Sequence, residues 1–156
     1  MYIREAQIGD ELVFNMLFLE YLEDQYKRGN DLVPDEKTMD FITGIFEQYV
    51  TGTLDGIVLL ADEEAVLMWG EAGPPVVTNR HGRVAQGWGT YVRAGSRGVG
   101  LSSRLRTTAK LRLKEMGFDA VLAAVLKDSS EAAVISIVNA GLHLYAHTGV
   151  ISLRAV

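Results

Sequence analysis

The chain has no cysteine, and its 156 residues include only three prolines. Without thiols there is no disulfide framework, no thiolate metal site and no cysteine nucleophile, which removes zinc ribbons, redox motifs and cysteine hydrolases together. Such a chain suits a reducing compartment. No apolar run approaches the roughly 20 residues that a membrane span needs, and Met1 to Asp10 carries charge where a signal peptide would be continuously apolar. No repeat or low-complexity segment appears either, so collagen, coiled-coil and solenoid architectures are excluded. What is present is apolar material: 48% of residues are hydrophobic and 22% charged, enough for one packed core and a single domain over 1–156. A soluble, cytoplasmic protein is the expectation.

The net charge of −5 hides an asymmetry. Residues 1–71 hold 16 acids against 4 bases, and residues 72–156 hold 4 acids against 11 bases. In the second half the bases gather as Arg93, Arg97, Arg104, Arg106, Lys110, Arg112 and Lys114, with no acid between the first and the last. Such a block is either a solvated helix face or a site for an anion. The overall acidity opposes a broad phosphate footprint, so nucleic acid is not the expected partner.

Periodicity predicts a short strand over 2–6, then a helix capped by Asp10 with Leu12, Met16 and Leu19 toward the core. That helix fades near Arg28 into a turn at Gly29, Asn30 and Asp31. Asp35 is predicted to cap a second helix burying Phe41, Ile42, Ile45, Phe46 and Tyr49. Strands over 56–62 and 66–70 flank an acidic turn and read as a hairpin. A loop over 72–82 precedes a strand over 83–92, a helix over 101–116 ending at Gly117, and a strand over 118–126. Asp128 and Glu131 suggest a capping box for a helix stopping at Gly141, and a hairpin over 142–153 finishes the chain. The class is α/β with a mixed sheet. Met16, Met39, Met68 and Met116 read as core filler.

The chemistry concentrates between the strand ending at Val92 and the helix beginning near Leu101. A strand, a glycine-rich turn and a helix N-terminus aim several backbone N–H groups at one spot, where the helix dipole adds partial positive charge. Gly98 and Gly100 let an anion approach the backbone, and Arg97 adds a full charge. Gly95 to Gly100 has Walker A glycine spacing, but Leu101 stands where the lysine belongs, which argues against nucleotide phosphoryl transfer. A Rossmann fingerprint fits as poorly: Ser103 takes the third glycine position, and about seventy residues of other structure precede the unit.

Arg97, Gly98, Val99, Gly100, Leu101 and Ser102 resemble the pyrophosphate-binding motif of the GNAT acyltransferase superfamily: Gln or Arg, two residues, Gly, one residue, Gly or Ala. Ser102 departs from its last position. Thr90, Tyr91 and Val92 resemble the end of the family's fourth strand, and Ser130 to Leu142 matches in length its run from an Asn to a Gly-Phe. The resemblance implies a mixed, mostly antiparallel sheet of about six or seven strands flanked by about four helices. It implies acetyl-coenzyme A or a related thioester as cofactor, held by Tyr91, Val92, Arg97, Gly98, Val99, Gly100, Leu101, Ser102 and Ser130. It also implies direct transfer of the acyl group to an amine, small molecule or peptide. A coenzyme-binding or regulatory module without turnover is the alternative, and a homodimer stays open.

Catalytic positions follow from what amide formation needs: a route for the amine's proton, a site for developing charge on the carbonyl oxygen, and a proton for the thiolate. Strict alternation puts Gln86, Trp88 and Thr90 on one face of the fourth strand, and Ala85, Gly87, Gly89 and Tyr91 on the other. The two glycines would leave either a groove for a ligand or room for a closely packed helix. Gln86 stands where some members have a glutamate base; it can orient a water but not take a proton. Glu71 is the carboxylate available for direct base work, or else an exposed hairpin charge. Register with the family places Ile137 where relatives hold a tyrosine acid, and a different register would bring Tyr145 there. The acidic helices, through Glu20, Glu23, Asp24 and Asp31, suggest a cationic or neutral acceptor. His81, His143 and His147 are expected at the surface, and no metal site is expected.

Overall fold

The computed structural model describes residues 1–30, 32–72 and 82–123. Strands β1 (Ile3–Glu5), β2 (Gly56–Ala61), β3 (Ala65–Gly70), β4 (Val84–Val92) and β5 (Ala120–Ala123) form one sheet in sequential order. All neighbours are antiparallel except β4 and β5, which run parallel because helix α3 (Leu101–Glu115) crosses between them. Helices α1 (Glu11–Lys27) and α2 (Glu36–Val50) intervene between β1 and β2.

Both faces of the sheet are covered, which explains why β2 and β3 are continuous apolar runs. Ile57, Leu59, Ala61, Ala65, Leu67 and Trp69 face α3 through Leu101, Leu105, Ala109 and Leu113. Val58, Leu60, Val66 and Met68 face α1 and α2, where Phe14 stacks on Phe46 with ring centroids 4.4 Å apart. Met68 is fully buried, and Met16, Met39 and Met116 pack against these two cores.

The structure corrects three local expectations. Asp10 precedes α1 but its side chain does not cap it. Its carboxylate instead takes two hydrogen bonds from Arg4, at 2.7 and 2.8 Å, and one from the Gln7 N–H at 2.7 Å. A charged fork outcompetes the amides of the helix. The core face of α1 is Phe14, Leu17, Phe18 and Leu22, while Leu12 is 82% exposed. Apolar residues surround this helix, so the sheet rather than the sequence pattern selects the buried side. In α2, Asp35 does cap, accepting from the Thr38 N–H at 2.9 Å. Phe41, however, is 57% exposed and lies edge-on to Trp88 with centroids 5.9 Å apart.

The expected helix over 128–141 and the hairpin over 142–153 lie outside the described residues, within which there are five strands and three α-helices.

Candidate functional site

The site is built at the end of β4 that runs into α3. A bulge interrupts β4: Met68 pairs with Gly89 and Trp69 with Gly87, leaving Trp88 as the extra residue. One extra residue reverses the facing of everything beyond it. Ala85 and Val92 accordingly lie in the α3 core, whereas Trp88 and Tyr91 pack on the α1 and α2 side. The strict alternation expected for β4 is thereby overturned, and Gly87 and Gly89 fall on opposite faces. Gly89 opens no groove: a Cβ there would sit 2.5 Å from Tyr21 Cε1 and 3.1 Å from Phe18 Cζ. The glycine exists so that α1 can lay an aromatic ring on the strand.

Beyond Val92 the chain makes a short 3₁₀ turn over Ala94–Ser96, and the turn is tied to the β2–β3 hairpin. The Arg93 N–H donates to the Glu64 carbonyl at 2.9 Å, and the Ser96 hydroxyl donates to the Glu64 carboxylate at 2.9 Å. Arg93 also grips Glu20 of α1, through Nε at 3.0 Å and Nη2 at 2.7 Å. The guanidinium holds the Glu20 carboxyl below the usual carboxylate range. Arg97 donates through Nε to the Val92 carbonyl at 2.8 Å, and its guanidinium carbon lies 5.8 Å from the centre of the Tyr91 ring. That cation is oriented before any ligand arrives.

Gly98 and Gly100 then adopt φ values of +86° and +75°, the left-handed region, and a Cβ on either would meet nothing within 4 Å. The two residues turn the backbone sharply, and the space that a side chain on either would take is open among the described residues. Gly100 is the N-cap of α3, and no side chain caps that helix. Among the described residues its first-turn N–H groups have no side-chain partner. Leu101 is buried and roots the helix in the α3 core, Ser102 is half-buried, and Val99 is exposed beside the loop. The structure thus gathers Tyr91, Val92, Arg97, Gly98, Val99, Gly100, Leu101 and Ser102 in one place. Ser130, Ile137 and Tyr145, with His81, His143 and His147, lie outside the described residues.

Most of the basic block is used elsewhere. Arg112 pairs with Glu5 and Glu115, Arg104 donates to the Met1 carbonyl at 3.0 Å, and Arg106 is buried. Of the acidic set, Glu20 pairs with Arg93 and Asp24 with Arg28 at 3.2 Å, and Asp31 lies outside the described residues.

Glu71 is not poised at an open site. Its carboxylate binds the Arg83 guanidinium and takes the Asp55 N–H at 3.1 Å, while Arg83 also holds Asp55 at 2.7 Å and the Met116 carbonyl at 2.8 Å. The cluster ties β3, β4 and the end of α3 together. Nearby, the Tyr49 hydroxyl donates to the Glu71 carbonyl at 2.6 Å and accepts from Trp88 Nε1 at 2.8 Å. Burial pushes that hydroxyl up to about 12. Gln86 is half-buried on β4, opposite Gly70 on one side and Leu122 on the other, and its amide nitrogen donates to the Gly87 carbonyl at 3.3 Å. Tyr21 and Glu64 were not identifiable from the sequence pattern. The signal for Tyr21 was indirect, a glycine inside a strand that required a close neighbour.

No protein-family model matches this chain, and no curated protein does. Solved structures do match. A predicted acetyltransferase with acetyl-CoA from Clostridium acetobutylicum has a TM-score of 0.73 at 19% identity, covering 99% of this chain and 97% of the other. This chain has a GNAT-like fold. A mutant of the BH1408 protein from Bacillus halodurans is similar at TM-score 0.72 and 22% identity, over 98% of this chain and 99% of its own. AAC(6')-Iy, in complex with the bisubstrate analog CoA-S-monomethyl-acetylneamine, has a TM-score of 0.60 at 14% identity, over 98% and 96% of the two chains. Within the fold described here, the glycine turn stands at the C-terminal end of β4, the strand that bulges and beside which the parallel β5 lies. No helix among the described residues is long and apolar enough to cross a membrane.

Proposed function

We propose that this chain is an acyltransferase that takes an acetyl or related acyl group from acyl-coenzyme A and passes it directly to an amine. The observation that carries the reading is the cradle at Gly98 and Gly100: two left-handed glycines before an uncapped helix, with a pre-oriented arginine beside them. A pyrophosphate fits this arrangement, because amides, helix dipole and Arg97 all favour negative charge and no Cβ obstructs it. Residues 97–102 would hold the pyrophosphate, with Tyr91 and Val92 beside the arm that follows and Ser130 completing the coenzyme contacts. The similar structure with acetyl-CoA and the one with the bisubstrate analog CoA-S-monomethyl-acetylneamine support both the cofactor and an amine acceptor.

When bound, the coenzyme supplies an activated thioester. The protein's own part is to orient the amine and to move protons. Gln86 cannot accept a proton but can fix a water that does. Glu71 serves as an anchor for Arg83 and Asp55 rather than as the base. A homodimer and the full count of six or seven strands and four helices belong to the same reading.

Both the Gln86 amide and the engaged Glu71 favour a second reading, a module that binds the coenzyme without turnover. Calorimetry with coenzyme A, followed by thiol release across an amine panel, separates the two. Gly100→Asn is the informative variant: asparagine tolerates the left-handed conformation better than other residues, and its side chain fills the cradle. Binding is expected to fall at least tenfold with the fold retained. Unchanged affinity would refute the phosphate assignment.

A further inference from the structure

The transfer proposed above needs a proton for the departing thiolate, and the geometry points to a donor that no motif suggested: we propose that Tyr21 of α1 gives that proton. The inference rests on the acyltransferase reading. Its observations are independent of the phosphate loop.

Tyr21 packs on the β4 bulge at Gly89. The hypothetical Cβ of Gly89 would be 2.5 Å from its Cε1 and 2.9 Å from its Cζ, so the carbon bearing the hydroxyl sits directly over the strand backbone. Phe18 holds the ring edge-on with centroids 5.1 Å apart, and Tyr91 flanks it at 6.3 Å. The hydroxyl has no hydrogen-bond partner among the described residues. Tyr21 belongs to the helix layer opposite α3, yet the charge of Arg106, a buried residue of α3, acts on its hydroxyl. From Gly89 to Arg93, where the turn begins, the strand advances roughly 13 Å. An extended pantetheine arm leaving the cradle and following β4 therefore brings its sulfur toward Gly89 and the Tyr21 hydroxyl.

The chemistry suits a donor. Burial pushes the Tyr21 hydroxyl up to about 12, the carboxylate of Asp24 on its own helix adds to the rise, and Arg106 opposes it. Tyr91 faces it from β4. The group is a neutral phenol throughout the physiological range, and Arg106 moderates the cost of the tyrosinate that forms briefly. In the step, the amine nitrogen forms its bond to the acyl carbon, the carbon–sulfur bond breaks, and the electron pair leaves on sulfur. The Tyr21 proton goes to that sulfur. The proton shed by the amine returns to the tyrosinate through solvent.

The test is Tyr21→Phe, whose ring fills the same space over Gly89. Coenzyme A affinity is measured by calorimetry, turnover as kcat against pH, and ionisation of the bound coenzyme thiol by its ultraviolet absorbance. The expected result is affinity within about twofold of wild type, and kcat lower by roughly 10² to 10⁴, the usual worth of general acid help. The bound thiol should titrate at higher pH than in wild type, because the hydroxyl no longer donates to the thiolate. Full kcat in the variant overturns the proposal, as does a loss of turnover matched by an equal loss of affinity with no change in the thiol titration. If wild type binds no coenzyme A, the acyltransferase reading fails first and this one falls with it.

Discussion

Replacing Gly89 by alanine tests the contact on which the centre of the molecule depends. The new methyl carbon would lie 2.5 Å from Tyr21 Cε1, 2.9 Å from Cζ and 3.1 Å from Phe18 Cζ, all inside ordinary van der Waals separation. The Tyr21 ring cannot simply swing aside, because Phe18 is 1% exposed and abuts its edge. Overpacking of this kind costs about 1–3 kcal/mol. Gly89 is not among the glycines with positive φ, so alanine suits the backbone and recovers about 0.4–1 kcal/mol from the unfolded state. A net destabilisation of about 1–2 kcal/mol remains. Urea titration measures it, and a double-mutant cycle isolates its origin. In a Tyr21→Ala background the methyl group has room, so the same substitution should become neutral or stabilising. An equal penalty in both backgrounds would show that the ring is not what excludes a side chain at position 89. If Gly89→Ala alone stabilised the protein, the packing described here would be wrong.

Removing the Tyr49 hydroxyl strands two polar groups: the Glu71 carbonyl loses its donor and Trp88 Nε1 its acceptor. Tyr49→Phe should cost about 1–3 kcal/mol in chemical denaturation, and a change under 0.5 kcal/mol would mean that water replaces the hydroxyl. Glu20 provides a pH dependence. Its folded value lies below the ordinary 4.5 because Arg93 hydrogen-bonds the ionised form, so the pair's stabilisation is complete above that pH. It is lost as pH falls through the depressed folded value. The stability gap between wild type and Glu20→Gln should therefore close on acidification, and a gap that widened would reverse the assignment.

Much of this architecture is written locally in the chain. The alternation of breakers and apolar runs marks β2, β3, β4, α2 and α3, because Gly, Asp35 and the β2–β3 turn act over a few residues without help from elsewhere. The glycine turn before α3 was legible for the same reason: left-handed conformations at 98 and 100 favour glycine, and glycine is visible in a sequence. Facing was not legible. The bulge at Trp88 depends on how β3 pairs with β4, and one inserted residue sent Tyr91 to the α1 side and separated Gly87 from Gly89. Charge partners were not legible either. Glu71 read as an available carboxylate until tertiary structure brought Arg83 and Asp55 to it, and Glu20 read as an acceptor lure until Arg93 closed on it from 73 residues away. Helix α1, apolar on several sides, chose Phe14, Leu17, Phe18 and Leu22 for the core only because the sheet lay on that side, and in doing so set Tyr21 on Gly89. Backbone conformation is a short-range property, and the sequence states it. Pairing across the sheet and between layers is long-range, and only the folded chain decides it.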